Sequence, residues 1–204
     1  ASREEAKARR GDAERAKAEA DQANSASDAK DLYAEGGRGS TRAGESFEKG
    51  DFTAASAAWR DAAQGYASAK TRALAAQAYA RAKAAFESAL GGPSSVSAVR
   101  LERYGGGKWA EVKRLRALGA ASENDPAAGE KAYRDALAAL PGAEAEAQAA
   151  ERAAVLAAAL AAARQAKTAG EWQACLDKAD EALALEAGNA EALALKAEAE
   201  RNLT

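Results

Sequence analysis

Histidine, methionine and isoleucine are all absent from this sequence of 204 residues, and two of these absences exclude whole classes of structure. Without histidine, a structural metal site has too few candidate ligands, so we expect neither a metal nor another cofactor. Without isoleucine, the β-branched aliphatic residues are reduced to four valines, which are Val96, Val99, Val112 and Val155. Because such residues favour strands, their scarcity predicts almost no β-sheet.

Cysteine occurs once, at Cys175, so the chain cannot form an internal disulfide. A catalytic nucleophile would need a lysine or carboxylate base in a desolvated pocket, and no pair of carboxylates stands out from the helical pattern. The sequence therefore predicts a protein that is not an enzyme.

Neither sign of charge dominates, since 29 basic residues face 31 acidic ones and the net charge is −2. No overall field favours nucleic acid or an anionic membrane. The segment 99–116 is locally basic, a pattern typical of a solvated helix face. No run approaches the ~20 apolar residues of a membrane span, and neither a signal peptide nor a methionine start is present. We expect a soluble fragment of a longer protein, with no nucleic-acid partner, no membrane insertion and an undetermined location.

Glycine-rich segments are predicted to loosen the chain at two places. Glycines at 36, 37 and 39 indicate a mobile loop over residues 35–40. The glycines at 105–107 precede Lys108, but the spacing of a phosphate-binding loop is missing and Trp109 stands where serine or threonine would bind magnesium. We interpret 105–107 as a flexible linker.

Alanine is abundant, at about a third of the residues, while large apolar side chains occur singly at helical spacing. Alanine buries little area, so we expect thin layers of closely packed helices instead of a thick core. The stretch from Phe52 to Leu90 carries no proline and only Gly65 as an interruption, so it predicts one helix of about 57 Å. Gly91, Gly92 and Pro93 are expected to end it. The predicted fold class is all-α, an elongated array of antiparallel helical hairpins.

Helix starts are marked by short polar side chains that can accept hydrogen bonds from the first turn: Ser2, Asp51 and Asp125. Ser2 and Glu5 have the spacing of a capping box. Pro126 follows its capping aspartate at the position where proline is favoured. Pro141 and Gly142 predict the end of the helix that Pro126 begins.

One spacing of small and bulky residues recurs three times along the chain: Phe52, Ala55, Trp59, Ala62; Pro126, Gly129, Tyr133, Ala136; and Trp172, Cys175, Ala179, Ala182. Members of each set lie three, four and three residues apart, so they share one face of a helix. This pattern resembles the second half of a tetratricopeptide repeat, most clearly in GEWQACLDKADEALALEAGNAEALALKAEAE. The resemblance places Cys175 where the repeat needs a small side chain between helices, which implies a buried packing residue and not a reactive thiol. The sets recur after 74 and 46 residues instead of a regular 34, so the repeats are degenerate or extended.

The alanine-rich composition is also similar to that of helical regions in bacterial multidomain signalling proteins. The tetratricopeptide resemblance implies a groove, lined by the first helix of each hairpin, that holds an extended peptide or a partner helix. Carried over by position, the groove residues are Arg114, Leu118, Leu160, Arg164, Lys167, Glu198 and Arg201. Four of these seven are basic, which suits an acidic peptide or a carboxyl terminus.

The resemblance therefore predicts a protein-interaction or scaffolding module within a larger bacterial protein. We expect two domains, over 1–104 and 105–204, in a monomer or a weak homo-oligomer held by alanine seams. The alternative is a structural spacer or stalk, in which the long Phe52–Leu90 helix sets a distance and the groove stays empty.

Overall fold

The computed structural model describes residues 1–92 and 95–204. In these ranges the chain is all-α, as predicted, and contains no strand. The helices of the described residues are α1 (Arg3–Gln22), α2 (Ser25–Asp28), α3 (Lys30–Glu48), α4 (Phe52–Leu90), α5 (Val96–Tyr104), α6 (Gly106–Ala121), α7 (Pro126–Ala169), α8 (Trp172–Leu185) and α9 (Ala190–Leu203). An array of antiparallel hairpins stays a prediction.

Helix α4 confirms the prediction of one long helix, with 39 residues from Phe52 to Leu90. Gly91 and Gly92 follow with φ of 73° and 79°, a left-handed conformation that favours glycine and ends the helix. Pro93, which was also expected to end it, lies outside the described residues. Within 1–92 and 95–204, no helix is both long and apolar enough to cross a membrane.

The predicted helix caps are confirmed. Ser2 accepts a hydrogen bond from the Glu5 amide at 3.2 Å, and the Glu5 carboxylate accepts one from the Ser2 amide at 2.6 Å, which completes the capping box. Asp51 and Asp125 each accept from the amide three residues further on, at 2.9 and 3.2 Å. These interactions satisfy amide groups of the first turn that have no partner within the helix.

The predicted mobile loop over 35–40 is wrong, because these residues lie inside α3. Gly36 and Gly39 are buried where α3 contacts α4. A Cβ atom on Gly36 would stand 2.8 Å from the ring of Tyr66, and one on Gly39 would stand 3.1 Å from the Cα of Ala62. Glycine thus permits a close approach of two helices, and this packing outweighs its poor helix propensity.

The helix end predicted at Pro141 and Gly142 is also wrong, since α7 continues through both residues. Pro141 itself is exposed, whereas Leu140, Ala143 and Ala147 are buried at 3%, 0% and 0% exposure. These three residues lie at helical spacing on one buried face, which extends along the helix both before and after Pro141. We infer that burial of this face outweighs the hydrogen bond that proline removes.

Residues 105–107 do not form the predicted flexible linker. Gly105 is buried between α5 and α6, where a Cβ would stand 2.4 Å from the Leu101 carbonyl oxygen and 2.5 Å from the Cβ of Trp109. Gly106 then begins α6 with a φ of 53°. The Lys108 amide in this first turn donates to the Glu146 carboxylate at 3.3 Å. The first turn of α6 is therefore held by a hydrogen bond to a carboxylate of α7.

The three recurrent sets of small and bulky residues occupy equivalent structural positions. Phe52, Pro126 and Trp172 are the first residues of α4, α7 and α8. The other members are all buried: Ala55, Trp59, Ala62, Gly129, Tyr133, Ala136, Cys175, Ala179 and Ala182. The prediction that each set forms one buried helix face is confirmed.

The described chain divides into two compact units, and each is built from two stretches of sequence. The first unit comprises Ala1–Ala89 and Arg114–Leu137, and the second comprises Leu90–Lys113 and Ala138–Thr204. The predicted domains, 1–104 and 105–204, are each one continuous stretch of sequence, and this division stays a prediction.

The core of the first unit joins aromatic rings from α3 and α4 to alanines from α1. Trp59 and Tyr66 are buried at 5% and 3% exposure. The Phe47 ring lies 5.4 Å from that of Trp59, and the Tyr33 ring lies 5.2 Å from that of Tyr66, centroid to centroid. Each ring fills a gap that the small alanine side chains leave between the helices.

Candidate partner-binding surface

Two of the predicted groove residues, Arg114 and Leu118, lie on α6 in the first unit. Both are exposed, and Leu118 keeps 49% of its surface accessible. The other five lie on α7 and α9 in the second unit.

The basic residues of α7 in the predicted groove are paired with carboxylates of α9. Arg164 Nε lies 2.7 Å from a carboxylate oxygen of Glu191, and Lys167 Nζ lies 2.6 Å from one of Glu198. Arg201 is exposed in the last turn of α9. Because these partly exposed pairs neutralise the two cations of α7, they weaken the basic character that favoured an acidic peptide.

Leu160, which was expected to face the groove, is instead buried at 7% exposure. It belongs to the core where α7, α8 and α9 meet, together with Cys175 and Leu195. Its side chain is therefore occupied by internal packing.

Cys175 confirms the prediction of a buried packing residue. Its side chain is fully buried, and its thiol donates a weak hydrogen bond to the Leu195 carbonyl oxygen at 3.9 Å. Burial raises the pKa of the Cys175 thiol above its ordinary value, since the thiolate would lose its hydration. This environment favours a neutral, unreactive thiol.

A different surface of the second unit is open and apolar. A cavity of about 450 Å³ lies between α7 and α8, and we call it the α7/α8 groove. Its lining residues are Val155, Ala158, Ala159, Ala162, Lys178, Glu181, Ala184 and Leu185. Six of these eight are apolar, while Lys178 and Glu181 form an ion pair of 2.6 Å at its edge.

The α7 wall of this groove belongs to a stretch with no charged side chain, from residue 153 to residue 163. Exposed positions in that stretch are all apolar: Ala153, Ala154, Val155, Ala157, Ala158 and Ala161. Val155 keeps 48% of its surface accessible. The sequence showed this uncharged run, but periodicity alone could not tell which of its faces would stay uncovered.

Local interactions hold α7 and α8 on either side of the groove. Gly170 connects the two helices with a φ of 75°, and the Glu171 amide donates to the Ala166 carbonyl at 2.9 Å. At the other end, the Arg152 guanidinium donates to the Leu185 carbonyl in the last turn of α8. A cation at a helix C-terminus also interacts favourably with the helix dipole.

Three basic side chains of the segment 99–116 form ion pairs with carboxylates of the chain itself. Arg100 pairs with Glu151 at 2.5 Å. Two further pairs are Lys113 with Glu102 at 3.1 Å and Arg116 with Glu87 at 3.0 Å. Such pairing is the behaviour of a solvated helix face, as interpreted from the sequence. The expectation that the chain has no nucleic-acid partner stays a prediction.

No family model matches this sequence, and no curated protein or solved structure matches it either. The tetratricopeptide resemblance therefore stays a prediction.

Proposed function

We propose that this chain is a non-enzymatic protein-interaction module that holds a helix of a partner protein in the α7/α8 groove. The observation that supports the proposal is the uncharged wall of α7 in the α7/α8 groove, where Val155 and Ala158 are both apolar and exposed. A helix at the surface of a globular protein ordinarily carries charged or polar residues on its outer face. Contiguous exposed apolar surface is typical of an interaction site.

The small size of the lining residues favours a helix as the bound element. Alanines at 158, 159, 162 and 184 let a third backbone approach closely, while Val155 and Leu185 provide aliphatic contact at the edges. An amphipathic helix would place bulky aliphatic side chains in the groove at spacings of three, four and seven residues. The Lys178–Glu181 pair offers both signs of charge to the polar border of such a helix.

This surface differs from the groove that the tetratricopeptide resemblance implies. Ala162 lines the α7/α8 groove, and Arg164, two residues further along α7, pairs with α9. Two residues correspond to about 200° around a helix, so the two side chains lie on nearly opposite faces. The apolar face is thus the better candidate for a partner, because the α9 side is occupied by ion pairs.

A structural spacer is the second candidate, and the 39 residues of α4 favour it. In that case the chain would set a distance between flanking parts of a longer protein. No saturable partner would then be found.

The proposal is tested by affinity capture from a lysate of the source organism with four forms of the immobilised chain. These are the wild type, a groove variant with Val155→Asp and Ala158→Glu, a variant with Arg164→Gln and Lys167→Gln, and a control with Ala157→Glu. Ala157 is exposed on α7 and does not line the groove. Circular dichroism establishes that each form is folded.

We expect a saturable partner that the wild type and the control retain and the groove variant loses. A helical peptide from that partner should then bind the wild type in a fluorescence anisotropy titration. If the groove variant retains the partner, the α7/α8 groove is not the site. Loss with the Arg164 and Lys167 variant alone would place the partner against α9, and no saturable partner at all would favour the spacer.

A further inference from the structure

The uncharged α7 wall of the α7/α8 groove extends about equally far in both directions from its centre. The α7 residues that line the groove lie between Val155 and Ala162, and the stretch without charged side chains covers 153–163. Both have their centre close to Ala158. A surface of this kind can face a second copy of itself across a two-fold axis, because the rotation exchanges its two ends.

The charged residues of the groove lie near its middle. Gly170 connects α7 to α8 at one end, and the Arg152 guanidinium donates to the Leu185 carbonyl at the other. Lys178 and Glu181 are about halfway along α8 between these two contacts. A two-fold axis through the middle of the groove therefore passes close to both of them.

Lys178 and Glu181 are complementary in charge to the same pair in a second copy. Where two α8 helices face each other in opposite directions, Lys178 of each copy lies opposite Glu181 of the other, so two ion pairs form between the copies. The two side chains keep 42% and 55% of their surface accessible while they pair within the helix. Both can therefore reach a facing chain.

The apolar residues are complementary in size under the same rotation. Val155 and Leu185 lie at one end of the groove, and Ala162 lies towards the other. Because Val155 and Ala162 are about equally far from Ala158, Val155 of each copy comes level with Ala162 of the other. Bulky side chains of one copy thus meet small ones of its mate, as in the close packing of a four-helix bundle.

We propose that a second copy of this chain covers the α7/α8 groove when no partner helix does. The two grooves face each other, α7 lies on α7 and α8 lies on α8, and each of these helix pairs is antiparallel. The inference rests on the proposed function in one respect, namely that this groove is the interaction surface. A partner helix and a second copy then exclude each other, so dimer formation regulates access to the groove.

The extent of the uncharged face sets the strength of the dimer. At 1.5 Å per residue the stretch 153–163 is about 16 Å long, and two adjacent helices are roughly 20 Å wide. This face is smaller than the roughly 800 Å² that each partner buries in a stable complex of standard size. We therefore expect weak association, which a partner helix can displace.

The test is sedimentation equilibrium of the full chain between about 5 and about 500 μM. Lys178→Glu and Glu181→Lys are compared with the double variant that exchanges the two residues. Lys7→Glu is the matched control, since Lys7 also forms an exposed pair with a glutamate three residues away and does not line the groove. Circular dichroism establishes that each form is folded.

We expect the average mass of the wild type to rise with concentration from that of one chain towards that of two. Each single substitution places like charges opposite each other and should weaken the dimer by about tenfold or more. The double exchange and Lys7→Glu should dimerise about as tightly as the wild type. An equimolar mixture of the two single variants should also associate, because the lysines of one variant then face the carboxylates of the other.

A wild type that keeps the mass of one chain up to about 500 μM would overturn the dimer. Single substitutions without effect, or a double exchange that does not restore association, would overturn the facing of the two α8 helices. A partner captured by a chain that stays monomeric would refute the dimer alone. A dimer that captures no partner would instead refute the proposed function alone.

Discussion

Gly36 of α3 lies directly against the ring of Tyr66 of α4, so closely that a Cβ at residue 36 would stand 2.8 Å from the Cδ1 atom of that ring. On the α4 side of the same crossing, a Cβ on Gly65 would stand 3.0 Å from the Gly36 amide nitrogen. Glycine thus occurs on both helices where their backbones come together. The aromatic core of the first unit depends on this short separation.

Gly36→Ala is therefore expected to lower the free energy of unfolding by about 1–3 kcal/mol, because the buried Tyr66 ring would have to move. Gly44→Ala on the same helix is the matched control, since its Cβ would enter open space. It should raise the free energy of unfolding by up to about 1 kcal/mol through helix propensity. Urea denaturation of both variants measures the difference, and equal effects would show that the Gly36–Tyr66 contact does not restrict residue 36.

Pro141→Ala is expected to stabilise the protein, because α7 passes through Pro141 and the residue is exposed. Alanine is favoured over proline inside a helix by about 3 kcal/mol, part of which the stiffer unfolded chain of the proline form offsets. A net gain of about 2 kcal/mol should appear in chemical denaturation. Pro126→Ala is the control, since proline is favoured at the first residue of a helix and no gain is expected there. A loss of stability in Pro141→Ala would mean that the helix is interrupted at this point.

Cys175 should react slowly with a thiol reagent such as 5,5′-dithiobis(2-nitrobenzoate) at pH 8. Its side chain is fully buried and its pKa is raised by burial, so both access and thiolate formation are disfavoured. We expect a rate at least about 100-fold lower in the native protein than in urea, since reaction requires local opening. A variant with Cys175→Ala and Ala184→Cys carries its thiol at an exposed position and should react rapidly without urea. Similar rates for the native chain and this variant would contradict the packing role.

Asp21 should make stability depend on pH in the acid range. Hydrogen bonds from Lys17, at 2.8 Å, and then from Tyr33 lower the pKa of the Asp21 carboxyl below its ordinary value. Because the folded pKa lies below the unfolded one, the contribution is present above the unfolded pKa and is lost as pH falls through the folded pKa. It should not exceed about 1 kcal/mol, since the pair is exposed.

The measurement is the free energy of unfolding between pH 6 and pH 2 for the wild type and Asp21→Asn. The difference between the two should shrink towards zero at the acid end. Asp61→Asn, which replaces an exposed carboxylate on α4, is the control. A difference for Asp21→Asn that stays constant with pH would show that the ionised carboxylate contributes nothing.

Helix content and helix starts could be predicted from the sequence because the interactions that determine them are local. Ser2, Asp51 and Asp125 cap helices through amides three residues away, so the spacing of a few residues suffices. The long α4 followed from the absence of proline between Phe52 and Leu90 in the same way. The sequence also predicted that small and aromatic residues share one face of a helix, because their spacing matches the helical period.

The sequence could not predict that the glycine segment 35–40 and the proline at 141 lie inside helices, because contacts between residues distant in sequence decide this. Gly36 and Gly39 are helical since α4 lies against them, and α7 continues through Pro141 since its buried face extends on both sides. The candidate binding surface also depends on contacts between residues distant in sequence. Leu160 and Val155 lie five residues apart in one uncharged stretch of α7, and only the positions of α8 and α9 made one of them core and left the other exposed. The sequence by itself determined where helices form, through local hydrogen bonding and periodicity, whereas the tertiary structure decided which of their apolar faces remain open to another molecule.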